Sequence, residues 1–232
     1  MDNYKAVILA GGKGTRMYPV TKEIPKPLLP IKRKPIINYL VDLFLEYNIK
    51  DIAILISEEF KDDFYWWKKR YYESKNIMFV QEKQELGTFG GLIYLKDWIG
   101  KSCFFMTNGD EIKKIDLNKM AEFHKTLNLP ATISSVKVPD PENYGVVITD
   151  QGRVKEFLEK PANPPSQYIN SGLYLFSPEI FNYHPGPKFL MTEIDLFPKL
   201  AKEGKLAGFE FEGEWSDCGT WERYGKLINK EI

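Results

Sequence analysis

Three glycines, an arginine and a lysine stand close together near the N-terminus: Gly11, Gly12 and Gly14, then Arg16, then Lys26 between Pro25 and Pro27. Residues without a Cβ let the backbone take positive φ and bring its N–H groups against a bound anion. Arg16 and Lys26 add fixed positive charge beside those amides. The set suits a polyphosphate, whose negative charge must be held and redistributed as a bond breaks. Asp110, in Asn108-Gly109-Asp110-Glu111, can serve the same chemistry by holding Mg²⁺, which binds through one or two carboxylates plus phosphate oxygens and keeps its waters. Alone, an aspartate after glycine reads as a turn residue. Beside a phosphate loop the metal reading is favoured, with Glu111 a weaker second carboxylate.

The elements that must position these groups follow from the apolar pattern. Residues 6–10 form a short apolar, partly β-branched run that reads as a strand buried on both faces, ending in the glycines. Pro35 opens an amphipathic helix with Ile36, Ile37, Leu40, Leu43, Phe44 and Tyr47 at helical spacing. Residues 51–57 read as a second strand, 58–73 as a second helix, 77–80 as a third strand, 85–98 as a helix opening at Gly87-Thr88, and 101–107 as a fourth strand. The aromatics Trp66, Trp67, Tyr71 and Tyr72 are read as helix packing rather than a stacking platform. Alternation of strand and helix predicts right-handed crossovers and a Rossmann-like, three-layer α/β/α arrangement with a mainly parallel central sheet. Active sites in such sheets lie beyond the carboxyl ends of the strands, where the glycines at 11, 12, 14 and 87 and Asp110 all fall.

After Pro130 the pattern becomes β-rich, with strand-like runs at 131–138, 145–149, 154–158 and 169–176. A helix over 192–202, capped by Thr192, a strand over 205–211 and a helix over 221–229 follow. No Gly- or Ser-rich linker interrupts the chain, so 1–232 is expected to be one domain, with halves 1–130 and 131–232. Tyr144-Gly145, Glu159-Lys160-Pro161 and Asn170-Ser171-Gly172 interrupt the second half with donors, acceptors and one cation suited to sugar hydroxyls and a phosphate.

Two common glycine motifs are excluded. The dinucleotide fingerprint requires a third glycine where Met17 stands, and the P-loop requires Ser or Thr after its Gly-Lys, where Gly14 stands. The longer string L-A-G-G-x-G-T-R-x-x-P over 9–19, followed by P-K-P over 25–27, resembles the signature of the sugar-1-phosphate nucleotidyltransferases, also called nucleotide-sugar pyrophosphorylases. The resemblance covers 6–220, with Gly87-Thr88, Gly109-Asp110, Tyr144-Gly145, Glu159-Lys160-Pro161, Asn170-Ser171-Gly172 and Trp215-Ser-Asp217-Cys-Gly-Thr220 in the family's order.

That resemblance implies transfer of a nucleotidyl group from a nucleoside triphosphate to a sugar 1-phosphate, with pyrophosphate as the second product. It assigns nucleotide binding to Leu9, Ala10, Gly11, Gly12, Gly14, Thr15, Arg16, Gln81, Gly87 and Thr88, making 1–130 the nucleotide half. It places Arg16 on the β- and γ-phosphates, Lys26 on the α-phosphate and Lys160 on the sugar phosphate. Tyr144, Gly145, Glu159, Asn170 and Gly172 complete the sugar half, and Asp110 with Asp217 is the expected Mg²⁺ pair. Guanylyl and thymidylyl transfer resemble the chain best, uridylyl and cytidylyl transfer less well. Two rivals stand beside this: a catalytically inactive, regulatory relative that binds a nucleotide sugar, disfavoured because Arg16, Lys26 and both aspartates are present, and a cytidylyltransferase for a phosphorylated alcohol. The chain carries no hexapeptide-repeat tail, so the short form of the family is expected, without the trimer such a tail builds.

Composition agrees with a globular protein and excludes other classes. The chain is 43% hydrophobic and 28% charged, with 32 basic against 32 acidic side chains, so no overall field recruits nucleic acid or an anionic membrane. Neither a signal-peptide core nor a membrane span is present, and a cytoplasmic location is expected. Cys103 and Cys218 do not form a disulfide framework or a metal-ligand spacing, and Cys103 is expected to be a buried core thiol. His124 and His184 are assigned to a helix face and a loop. Homo-oligomerisation is left open.

Overall fold

A computed structural model describes residue 1 and residues 3–229. Contacts divide the chain into two compact units: Met1–Glu85, Thr107–Lys114 and Glu214–Ile232 form the first, within the described residues, and Leu86–Met106 with Ile115–Gly213 the second.

In chain order, β1 (Lys5–Ala10) leads into single helical turns and a small hairpin, β2 (Pro30–Ile31) and β3 (Lys34–Pro35). Then come α1 (Ile36–Glu46), β4 (Asp51–Ser57), α2 (Lys61–Tyr72) and β5 (Ile77–Glu82). The short helices α3 (Gly87–Gly90) and α4 (Lys96–Ile99) precede β6 (Phe104–Asn108), β7 (Glu111–Lys113) and α5 (Leu117–Leu127). Next are β8 (Ala131–Lys137), β9 (Gly145–Asp150), β10 (Arg153–Glu159), β11 (Tyr168–Phe176), α6 (Phe197–Lys202) and β12 (Leu206–Glu210). The last elements are β13 (Trp215–Asp217) and α7 (Trp221–Asn229).

In the first unit, β5, β4 and β1 are parallel neighbours, from Lys5↔Asp51 to Ala10↔Ile56 and from Ile52↔Ile77 to Ser57↔Glu82. All five interior residues of β4 are buried, as a parallel strand covered on both faces requires. Amphipathic α1 buries Ile36, Ile37, Leu40, Val41, Leu43 and Phe44. On α2, Phe64, Trp67 and Tyr72 are buried and Trp66 is 69% exposed, so one face of the helix packs, as its aromatics suggested. Later segments return to this unit: β7 pairs antiparallel with β13, setting Glu111 opposite Asp217.

The second unit is where the chain is β-rich. Its strand order is β11-β8-β12-β10-β9, in which only the β8–β12 pair is parallel. The β9–β10 hairpin turns through Gln151 and Gly152, both at positive φ. The chain is thus Rossmann-like α/β, with parallel pairing concentrated in the first unit.

Three local expectations are corrected. The segment from Gly87 to Ile99 is not one helix but α3, a 3-10 stretch Gly91–Leu95 and α4. Thr192 does not cap the helix after it: it begins a π-helical turn, Thr192–Leu196, and Asp195 accepts from the Met191 N–H instead. Cys103 is half-buried, and Cys218 is the buried thiol. Among the described residues no helix is long and apolar enough to cross a membrane.

Candidate active site

In the first unit the glycine loop begins where β1 ends. Gly14 takes the left-handed conformation, φ 63°, and its carbonyl accepts from the Thr21 hydroxyl at 2.8 Å. Gly12 has open space where a Cβ would be, so a ligand can approach its backbone. Met17 pins the loop from below in an apolar cluster with Leu29, Ile31, Ile36, Ile112, Cys218 and Leu227. Its neighbours Thr15 and Arg16 stay exposed.

Lys26 forms an ion pair with Asp110, both side chains largely buried. Asp110 follows β6 and is held by main-chain bonds on either side: the Gly109 N–H donates to the Leu9 carbonyl at 2.8 Å, and the Cys218 N–H to the Asp110 carbonyl at 2.9 Å. Burial pushes the Asp110 carboxyl upward, but the Lys26 ammonium, the hydrogen bond it donates and the nearby Arg16 outweigh that and hold it below the usual aspartate value. It is therefore ionised at neutral pH.

Asp217, 107 positions away (217 − 110), lies in the same unit. Its Oδ1 accepts from the Gly219 N–H at 2.8 Å and from Arg223 Nη1 at 3.0 Å. A Cβ on Gly219 would stand 2.7 Å from that oxygen and 3.3 Å from Arg16 Nη2, so the glycine permits the close approach of Arg16 to Asp217. Glu111 is engaged otherwise, with Lys113 and with the Asn108 amide at 3.1 Å. Burial raises the Glu111 carboxyl and lowers the Lys113 ammonium.

No group of three or more metal-ligating side chains occurs among the described residues. The donor set nonetheless fits Mg²⁺, a hard cation that takes carboxylate oxygens, because Asp110 and Asp217 both lie in this unit beside the glycine loop. Gln81, near the end of β5, is exposed in this unit.

In the second unit, Gly87 has φ 73° and no room for a Cβ, which would strike the Leu190 carbonyl. The Thr88 hydroxyl donates to Glu193 Oε2 at 2.7 Å and accepts from the Thr192 N–H at 2.9 Å. This ties the helix start to the π-helical turn. The sugar-half residues gather at one edge: Glu159 pairs across the hairpin with Gly145, and Ile169, before Asn170, pairs with Val146. A Cβ on Gly145 would meet the Phe157 ring at 2.5 Å and Glu159 Oε2 at 3.0 Å. Lys160 has φ 46°, its N–H donates to the Tyr144 carbonyl at 3.1 Å, and its ammonium meets Glu159 at 3.1 Å while 58% exposed. Gly172, φ 65°, donates its N–H to Asn170 Oδ1 at 2.9 Å, and the Asn170 amide donates to the Tyr174 hydroxyl at 2.8 Å.

The structure therefore brings Arg16, Lys26, Asp110 and Asp217 together in the first unit and Tyr144, Gly145, Glu159, Lys160, Asn170 and Gly172 together in the second. Gly87 and Thr88 belong to the second unit, while the other residues assigned to the nucleotide belong to the first. Sequence reasoning missed Arg223 and Glu193. Arg223 had a faint signal, three residues past Thr220 at the start of a helix; Glu193 had none, since its tertiary partner defines it.

The family model described as nucleotidyl transferase matches residues 5–231. Mannose-1-phosphate guanyltransferase 2 of Candida glabrata is 35% identical over 223 residues, covering 93% of this chain and 61% of that protein. A Bacillus subtilis protein named probable glucose-1-phosphate cytidylyltransferase is 32% identical over 239 residues, covering 94% and 92%. The crystal structure of HddC from Yersinia pseudotuberculosis complexed with GMP-PN superposes with a TM-score of 0.81 at 31% identity, covering 97% of this chain and 98% of that one. The chain thus spans about 61% of the length of guanyltransferase relatives such as the Candida protein.

Proposed function

Because the chain belongs to the nucleotidyl transferase family, we propose that it transfers a nucleotidyl group from a nucleoside triphosphate to a sugar 1-phosphate, releasing pyrophosphate. The observation that carries the proposal is the ion pair of Lys26 with Asp110, with Arg16 near both aspartates and open space above Gly12.

An oxygen of the sugar phosphate attacks the α-phosphorus, the bond from that phosphorus to the bridging oxygen breaks, and the electron pair leaves with pyrophosphate. No covalent enzyme intermediate and no protein base is required, so positioning and charge stabilisation supply the catalysis. Main-chain N–H groups of Gly11, Gly12 and Gly14 receive the triphosphate. Arg16 neutralises its β- and γ-phosphates. An ammonium has three donors, so Lys26 keeps one on Asp110 and offers the others to the α-phosphate, where charge builds as the bond breaks. Asp110 and Asp217 would hold Mg²⁺, which would supply positive charge against the charge that builds on the phosphates. In the second unit Lys160 binds the incoming phosphate, and Glu159, Asn170 and the Tyr144-Gly145 backbone accept and donate to sugar hydroxyls. Gln81, Gly87 and Thr88 serve the nucleoside. We place the reaction in the cytoplasm, where both substrates are soluble.

The test is a matrix of nucleoside triphosphates against sugar 1-phosphates, mannose and glucose 1-phosphate included, with Mg²⁺ and scored by pyrophosphate release. At least one pair is expected to react. Silence across the whole matrix, with nucleotide sugars still bound, would replace the transferase reading with a regulatory one.

A further inference from the structure

Glu111 and Lys113 form an ion pair at 2.5 Å with side chains 7% and 0% exposed, and the reaction proposed above uses neither. Lys113 Nζ also donates to the Thr107 hydroxyl at 2.9 Å, while the Asn108 amide donates to the other Glu111 oxygen at 3.1 Å. Thr107 and Asn108 end β6, Glu111 and Lys113 belong to β7, and Gly109 with Asp110 makes the turn between them. The four side chains therefore close the turn on both sides of Asp110. Beyond it, β7 lies against β13 in the register Glu111↔Asp217, and the Cys218 N–H donates to the Asp110 carbonyl at 2.9 Å. Residues opposite one another in an antiparallel pair share a face, so Glu111 projects from the same face as Asp217. Like charges placed so repel. Lys113, two residues along that face, supplies the compensating charge.

Stability alone does not account for this pair. Burying an ammonium and a carboxylate costs about as much desolvation as their attraction returns, and apolar residues of similar volume often hold a fold equally well. What the ionic pair adds is direction, because its hydrogen bonds fix where each chain segment runs. β7 and β13 are three residues each, so the ladder between them has few bonds of its own to hold position. We propose that Glu111 and Lys113 are positioning residues: their clasp fixes the turn that carries Asp110 and the strand on which Asp217 is laid, setting both carboxylates for one Mg²⁺. This role presumes the transferase reading, in which those two aspartates hold the metal. Neither member of the pair touches substrate. They act through Asp110 and Asp217, as groups bonded behind metal ligands orient them.

The test is the double variant Glu111→Leu with Lys113→Met in the full chain, which replaces the clasp by apolar residues of similar volume. Three readouts separate positioning from mere support: thermal melting, the Mg²⁺ dependence of turnover with a reactive pair from the substrate matrix, and hydrogen exchange at the Cys218 amide. The melting temperature is expected to hold or rise. Turnover should fall about tenfold to a hundredfold, with a higher Mg²⁺ concentration at half-maximal rate, the usual cost of losing a group that orients a metal ligand. The Cys218 amide should exchange faster, because β13 is then less firmly held against Asp110. A folded double variant with the parent's turnover and Mg²⁺ requirement, or with a Cys218 amide as protected as the parent's, would overturn the proposal. Should the double variant fail to fold, Thr107→Val decides, since it removes one acceptor of Lys113 at nearly constant volume. It should shift turnover and Cys218 exchange in the same directions but less, and parent values for both would overturn the proposal. Faster Cys218 exchange with no reactive pair in the matrix keeps the clasp and sinks the transfer chemistry. Unchanged turnover with a reactive pair sinks the clasp and leaves the transferase reading standing.

Discussion

The two candidate clusters are built on different principles. In the first unit, charge meets charge away from water: the Lys26 and Asp110 side chains are 14% and 19% exposed, and those of Arg223 and Asp217 are 22% and 12%. In the second, the one cation, Lys160, is 58% exposed and its pairing with Glu159 is screened by solvent. Order there comes from the backbone, through left-handed Lys160 and Gly172 and a register shift between Asn170 and Tyr174. The contrast extends to the buried polar groups. The first unit buries the ionic pair Glu111 and Lys113, whereas the second buries His124 between the hydroxyls of Thr132 and Ser177, at 2.7 and 2.9 Å. Preorganised charge belongs where a bond breaks, and a backbone cradle suffices to hold a substrate in place.

The largest expected effect tests the charged side of this contrast. Asp110→Asn keeps volume, removes the partner of Lys26 and one proposed Mg²⁺ oxygen, and should lower kcat about a hundredfold or more, the scale of losing one preorganised electrostatic group. Asp217→Asn should act in the same direction. Near-full turnover at low Mg²⁺ in either variant would remove that residue from the phosphate chemistry.

Next in size is Lys160→Ala. A charge-assisted contact with a phosphate contributes roughly 1.5–3 kcal/mol, so KM for the sugar phosphate should rise about tenfold to a hundredfold while triphosphate affinity holds. Equal weakening of both substrates would place Lys160 on the wrong ligand.

Gly172→Ala probes the backbone side. An alanine forced into the left-handed region costs about 1 kcal/mol, visible as a lower denaturant midpoint, and displaces the N–H that orients Asn170. Sugar-phosphate affinity should fall with it. A variant as stable and as tight as the parent would show that the turn does not organise the site.

The smallest effect is graded with pH. Burial holds the His124 ring down to about 4, against 6.5 in an unfolded chain. Above 6.5 the ring is neutral in both states and contributes no pH dependence. Between 6.5 and 4 only the unfolded chain takes the proton, so stability should fall with acid by up to about 1.4 kcal/mol per pH unit. Denaturant melts from pH 7 to 5 should show a shallower decline in His124→Gln; an identical slope would mean that the ring protonates in the folded protein.

Strong local patterns were readable in the amino-acid order. The apolar run into Gly11 announced β1, and the spacing of Ile36, Ile37, Leu40 and Leu43 announced α1, because each element's burial follows its own periodicity. The bond between Thr88 and Thr192 was not legible, since it joins residues 104 positions apart. The division of the chain was equally hidden: β7 and β13 pair across about a hundred residues, and nothing in either three-residue strand specifies the other. Asp110 and Asp217 could be named from motifs, but their counterions, Lys26 and Arg223, are properties of the folded chain.

The apolar floor beneath the glycine loop has a consequence for biosynthesis. Met17 and Leu227 belong to one cluster although 210 positions separate them (227 − 17), whereas every residue of the second unit lies between them in the chain. A ribosome making this protein releases the entire second unit before it has delivered the last piece of that floor. The second unit can therefore condense early, while Arg16 and Lys26 wait on an unfinished foundation. The loop that carries them gains its full apolar floor only once residue 227 is in place.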